Sequence, residues 1–307
     1  MNFILDIFAI PVSYIFKGLG FIFGNNFAVL MLMLTIVINV LMLPLTVKTQ
    51  RSTAKQQMLK PKLDALKKKY GDEMTQQDKL KYQQEMQELY QKENVSMAGG
   101  CLPTLIRLPF LLAVYRVINS PLKYIFGLTA AEISKLSATL GIAEKGYYEL
   151  QVFSQLTEKT EGVSAALWAQ IQSWDFTFFG IDLKATPKFS FNFSEVTADQ
   201  LALWIIPFLA FAAQMLTSVV QMQMQKKMNP DQPNMMGMML TMPLISLFLG
   251  FTFPAAVGLY WAFSSLVAGA LQIAVQSIYN PQKLVAESQA KLILSRAKEE
   301  SERIASK

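Results

Sequence analysis

The 307-residue sequence contains no histidine and a single cysteine, Cys101. The first absence removes imidazole general bases, Ser-His and Cys-His catalysis, and every His-ligated metal site. The second removes internal disulfides and thiolate clusters. Charge is scarce as well: 16% of the residues are Asp, Glu, Lys or Arg, against roughly 25% in an average soluble protein. With 52% of the chain apolar and a mean hydropathy of +0.29, there is more apolar surface than one water-soluble core of this size can hide. A membrane is the expected solvent. Neither an enzyme activity nor a cofactor or metal is expected.

Gaps between charges locate the spans, because a hydrocarbon core of roughly 30 Å takes about 20 apolar helical residues. Lys17 and Lys48 enclose 30 uncharged residues, and Glu93 and Lys123 enclose 29 residues interrupted only by Arg107 and Arg116. Asp199 to Lys226 leaves 26, and Asp231 to Lys283 leaves 51, enough for two spans with a break near Phe253 and Pro254. The expected fold is an all-α integral membrane protein of five spans with a cytosolic helical hairpin. The divisions are an interfacial helix at 1–26, a first span at 27–47, a hairpin at 48–96, a second span at 97–119 and an extracytoplasmic segment at 120–200. A third span follows at 201–222, a cytosolic loop at 223–235, the fourth and fifth spans at 236–279, and a basic tail at 280–307. Asp6, Pro11 and Lys17 cut the N-terminal apolar runs, and without a basic n-region or a small-x-small cleavage site the stretch reads as mature chain, not as a secretory signal.

Lysine and arginine placement sets the orientation. Segment 48–96 has 11 basic and 7 acidic residues, whereas segment 120–200 has 6 basic and 9 acidic. The chain therefore reads as a multi-pass membrane protein with its N-terminus outside and its C-terminus in the cytosol. Within 48–96 the first half is basic and the second acidic, with Tyr70-Gly71-Asp72 between them. Two helical arms that attract each other are expected, with Met58, Leu59, Leu63 and Leu66 on the inner stripe of the first. Thr129 and Glu132 have capping-box spacing, and aromatic residues between Trp168 and Ile181 suit a chain lying against headgroups.

Polar residues inside apolar spans carry the functional argument. Arg107 falls near mid-depth, where a cation costs several kcal/mol or more, with Thr104 one turn before it on the same face. Arg116, near the outer end, reads as an interface anchor that snorkels. Thr35 and Asn39 form a second stripe, Gln214, Thr217, Ser218 and Gln221 a third, and Ser265, Gln272 and Gln276 a fourth, with Gly269 between. Any one stripe is adequately explained as interhelical hydrogen-bonding glue. Glue does not explain a cation with no Asp or Glu in any expected span, and four stripes around it suggest a hydrated cavity with a fixed positive charge. Nine methionines between Met215 and Met242 add adaptable apolar surface. Pro109 loosens the second span.

Leu43-Pro44-Leu45-Thr46, Met58-Leu59-Lys60-Pro61-Lys62, Gly99-Gly100-Cys101-Leu102-Pro103, Leu108-Pro109 and Leu259-Tyr260-Trp261, in this order, resemble the YidC family of membrane-protein insertases. The resemblance implies a helical insertase and chaperone that receives nascent membrane proteins, alone or beside the Sec translocon, without hydrolysing nucleotide. It aligns Asn39 with the position where the family usually carries its groove arginine, so that role is not transferred. Arg107 stands on the facing second span, where relatives often carry Gln. Lys48, Arg51, Lys55, Lys60 and Lys62 are candidate docking residues for ribosomes or nascent chains, with lipid headgroups as the competing ligand. A small-anion transporter is the main rival reading, since one intramembrane arginine in a polar cavity suits that too. An intramembrane protease is disfavoured because Ser264 and Ser265 lack a base.

Overall fold

The computed structural model describes residues 2–71, 75–93, 95, 102–190, 192, 196–228, 236–278, 290, 293 and 294. Among them the order is α1 (Asn2–Phe23), α2 (Phe27–Leu41), α3 (Leu43–Tyr70), α4 (Gln76–Lys92), α5 (Leu102–Asn119), α6 (Pro121–Tyr124), α7 (Ala130–Thr139), α8 (Tyr148–Gln155) and α9 (Ala165–Gln172). Strands β1 (Thr177–Phe178) and β2 (Ile181–Asp182) follow, then α10 (Ala198–Met228), α11 (Met236–Gly250) and α12 (Ala255–Ile278). Among the described residues the protein is all-α apart from one short antiparallel hairpin. It divides into two units. One holds Met1–Leu41, Ile106–Gln223 and Pro233–Gly269; the other holds Met42–Leu105, Met224–Gln232 and Ala270–Lys307.

Among the described residues three helical stretches are long and apolar enough to cross a membrane: Asp6–Phe23, Ala198–Met224 and Ala255–Ile278. A fourth arises if Phe27–Leu41 and Leu43–Gln50 act as one broken span, and Pro109–Asn119 and Thr241–Gly250 are shorter apolar helices. The single helix expected over 27–47 breaks at Met42, with Pro44 in the first turn of α3. Proline there has no N–H for the Val40 carbonyl, so the chain restarts instead of continuing. The N-terminal stretch, expected as an interfacial helix, is one helix whose part Asp6–Phe23 is long and apolar enough to cross a membrane. Helix α1 runs through Pro11 and Lys17, with Ala9, Val12 and Phe16 buried on one stripe while Tyr14, Phe21 and Ile22 face outward.

In the first unit α1 packs on α2 and on α6, and α6, α7 and α8 pack on one another. Rings join the segment 120–200 to the long helices. Trp174 stacks on Phe16 at 5.9 Å and on Phe176 at 6.1 Å, and Phe176 reaches Phe27 at 4.8 Å and Phe153 at 4.9 Å. Asn26 fixes the α1–α2 connection: its carbonyl oxygen accepts from the Val29 N–H, and its amide donates to Asp175 at 2.7 Å. The Phe27 N–H donates to the Asp175 carbonyl at 2.8 Å. The Thr129 and Glu132 capping box starts α7 as its spacing predicts.

Helices α10, α11 and α12 approach closely where residues are small. A Cβ on Gly258 would lie 2.9 Å from Ile206, and one on Gly269 would lie 2.5 Å from the Thr217 methyl. Ala210, Ala213 and Ala262 are buried together, with Trp261 against them. Small residues that let backbones approach are a common packing device of helices in lipid.

In the second unit α3 and α4 pair antiparallel. Lys69 bonds Glu85 at 2.6 Å, the Tyr70 hydroxyl donates to Glu85 at 2.8 Å, and Lys62 pairs with Glu93. The Glu85 carboxylate holds the Lys69 ammonium above its ordinary pKa, and Lys69 in turn holds Glu85 below its own. Leu59 is buried and Leu63 and Leu66 half-buried, while the Met58 side chain is outside the described set. A reciprocal Thr75 and Asp78 capping box opens α4.

Candidate functional site

The expected site is four polar stripes, and the described residues treat them unequally. Thr35 is 1% exposed and its hydroxyl donates to the Met31 carbonyl at 2.7 Å; Asn39 is 8% exposed and its amide donates to the Thr35 carbonyl at 2.9 Å. Both are packed within protein with their polar atoms turned back on their own helix, as threonine and asparagine commonly do inside helices.

On α10, Gln214, Thr217, Ser218 and Gln221 are all half-buried. The Thr217 hydroxyl donates back to the carbonyls of Ala213 and Gln214, and the Gln214 side-chain carbonyl accepts from the Ser246 hydroxyl of α11 at 2.8 Å. Gln214 therefore bridges two helices, a contact the sequence offset did not reveal because Ser246 is on no polar stripe of its own. On α12, Ser265, Gln272 and Gln276 are half-buried, and Gly269 between them meets Thr217. Thr104 and Arg107 fall on the helical backbone of α5, one turn apart, and their side chains lie outside the described residues. The docking set behaves similarly: Lys48, Lys55 and Lys62 are exposed along α3, whereas the side chains of Arg51 and Lys60 are outside the described set. The Gly99-Gly100-Cys101 block and most of 280–307 also lie outside it.

One polar cluster escaped the sequence reading. Asp6 of α1 accepts from Arg116 of α5 at 3.2 Å, from Lys123 of α6 at 3.0 Å and from the Tyr124 hydroxyl at 2.5 Å. Arg116, expected as an interface anchor near the outer end, is tied to a carboxylate. Burial opposes the Lys123 charge, but the hydrogen bond and field of Asp6 outweigh it and raise the ammonium pKa. Glu149 of α8 lies beside this group. Burial raises its pKa despite a hydrogen bond from Ser120 and the nearby Lys123 and Arg116, and its Oε2 has no hydrogen-bond partner among the described residues. The sequence signals for the cluster were Asp6, an acid in an apolar run, and Arg116 near the end of another, but nothing local pairs them because they stand 110 residues apart.

These features define a helical membrane protein with polar side chains on the apolar helices α2, α10 and α12 and a charged cluster that joins α1, α5 and α6. The model of the 60Kd inner membrane protein family matches residues 19–283, and the chain belongs to that family. It is similar to the membrane protein insertase YidC of Bradyrhizobium diazoefficiens, 30% identical over 260 residues, covering 82% of this chain and 34% of that relative. Similarity to the membrane protein insertase YidC of Rickettsia rickettsii and of Rickettsia conorii is 27% over 265 residues, 85% of this chain and 38% of each relative. The chain spans about a third of the length of the curated relatives it matches.

Proposed function

We propose that the chain inserts proteins into the membrane. It takes the polar tail of a nascent membrane protein into a hydrated, positively charged hollow within the bilayer and lets the apolar segment pass sideways into lipid. The observation that carries this reading is the family match over residues 19–283, with relatives named as membrane protein insertases. Physical support comes from the half-buried polar side chains of Gln214, Thr217, Ser218 and Gln221 along one face of a helix apolar enough to span. A polar tail in hydrocarbon costs several kcal/mol per unsatisfied group, and a wet hollow removes most of that cost.

In this mechanism Arg107 supplies the fixed charge. No Asp or Glu falls between Glu93 and Lys123 in the sequence, so water solvates the guanidinium until an acidic tail enters. Thr35, Asn39 and Ser265 brace the hollow. The apolar segment then leaves along the exposed Ile205, Leu209 and Leu216 of α10 and Leu266 and Ile273 of α12, driven by burial worth about 25 cal/mol per Å². The α3–α4 pair and the tail 280–307 are cytosolic, and Lys48, Arg51, Lys55, Lys60 and Lys62 dock the ribosome, the nascent chain or the Sec translocon in a salt-dependent way.

The test is reconstitution of the chain alone in liposomes with a small single-span protein bearing an acidic tail, read as protease-protected product. Wild type protects the substrate; Arg107→Ala loses most protection of the acidic-tailed substrate and little of a neutral-tailed one. Equal insertion of both by the variant would remove Arg107 from the mechanism. Absence of insertion by wild type together with saturable uptake of a small anion would replace insertion by transport.

A further inference from the structure

The β1–β2 hairpin ends in a residue that its turn does not suit. Phe179 at φ +48 and Gly180 at φ +81 both occupy left-handed backbone, as a two-residue turn of the I′ type requires, and Asn-Gly is the favoured pair there. Phe179 is the one non-glycine residue with positive φ among the described residues, and it is 92% exposed. A large apolar ring held outward on strained backbone suggests that something apolar covers it.

The position of the hairpin identifies the cover. The Ala255 and Ala256 N–H groups donate to the carbonyls of Ala185 and Leu183 at 2.9 and 3.0 Å, which pins the chain just after β2 to the start of α12. Beyond that point the Phe178 ring of β1 meets the Phe263 ring of α12 at 6.1 Å, and β1 also packs on α2. Phe263 is about 12 Å along the axis from Ala255 at 1.5 Å per residue. Helix α12 is 24 residues long, about 36 Å against a hydrocarbon core of about 30 Å. Centred in the bilayer, it places Phe263 well below the headgroups. Leu266, one turn further on the same face, is 42% exposed, so this face of the helix looks toward lipid. Thr177 and Asp182, the polar pair of the hairpin, lie back toward the pinned end.

We propose that the hairpin tip is a lipid anchor, with Phe179 inserted among the acyl chains of the leaflet at which α12 begins. The aromatic segment then penetrates beyond the headgroups instead of resting on them. The inference depends on α12 spanning the membrane and is independent of whether the chain inserts proteins.

The experiment places an environment-sensitive fluorophore on Phe179→Cys in a Cys101→Ser background, reconstituted in phosphatidylcholine and phosphatidylglycerol vesicles, with Lys159→Cys as the exposed control. Lipids carrying a nitroxide near the top of the acyl chain quench the label at position 179 several-fold more than the control, and aqueous iodide quenches it several-fold less. Quenching by iodide at the control level overturns the proposal, and so does shielding from iodide without quenching by the lipid nitroxide, which would indicate a protein cover. As a second, unlabelled measurement, Phe179→Asn, which fits the turn, raises trypsin cleavage at Lys184 several-fold in vesicles; unchanged cleavage also overturns the proposal.

Discussion

Asp6 satisfies three donors from two helices at once, and so ties α1 to both α5 and α6. Replacing it with Asn leaves Arg116 and Lys123, both partly screened by solvent, facing a neutral group. Loss of such a charged hydrogen-bonding partner costs about 1–3 kcal/mol, and Asp6→Asn is expected to lower the thermal midpoint in detergent accordingly. Glu149 gives a pH signature of opposite sense. Its folded pKa lies above the ordinary 4.5 because burial disfavours the carboxylate, so the folded state binds its proton more readily than the unfolded chain does. Stability from this group is therefore greatest at acid pH and falls as pH rises from about 4.5 through the raised value. Glu149→Gln removes that slope; melting curves at pH 5 and pH 8 should show the variant gaining on wild type at the higher pH. Phe179 adds a third single-residue effect, since a non-glycine residue in left-handed backbone carries about 1–3 kcal/mol of strain.

Among elements, the α10–α12 contact is the tightest one described. Gly269→Ala brings a methyl against Thr217, whose short branched side chain cannot swing clear, and overpacking of this kind costs about 1–3 kcal/mol. Thr217→Ser keeps the hydroxyl and removes the opposing methyl, so the double variant is expected to recover most of the loss. A double-mutant cycle on thermal unfolding in detergent measures the coupling, expected at about 0.5–3 kcal/mol. Helix α4 depends on its cap more than on burial, because none of its side chains is buried. Thr75→Ala should weaken the first turn by about 1 kcal/mol, about fivefold in opening, read as faster hydrogen exchange at Gln77 and Asp78. Charge gaps made α10 and α12 legible, and the basic-then-acidic division of 48–96 made the α3–α4 pairing legible, because both are local properties of the chain. The break at Met42 was less visible: Leu43-Pro44-Leu45 stayed apolar, and hydropathy does not register a missing N–H.

At the scale of the whole molecule, the sequence conveyed solvent and class better than contacts. The polar stripes were readable by offset, yet whether a stripe faces water, another helix or its own backbone is decided by partners distant in sequence. Thr35 and Asn39 bond back to their own helix, while Gln214 finds Ser246 32 residues away. The N-terminal helix is the plainest case. Read alone, Asp6, Pro11 and Lys17 argue for a helix lying in the interface; with Arg116 and Lys123 supplied from the rest of the chain, the acid is compensated within α1. The aromatic cluster around Trp174 was legible as composition, whereas its contacts with Phe16 and with Phe27 through Phe176 depended on the fold.

The Asp6 tie also imposes an order on synthesis. Its three partners stand 110, 117 and 118 positions later in the chain. At a translation rate of roughly 5–20 residues per second, the carboxylate waits about 6–24 s before Tyr124 is made. During that interval α1 lacks its native counter-charges, so its seating against α5 and α6 can follow only after α6 has been made.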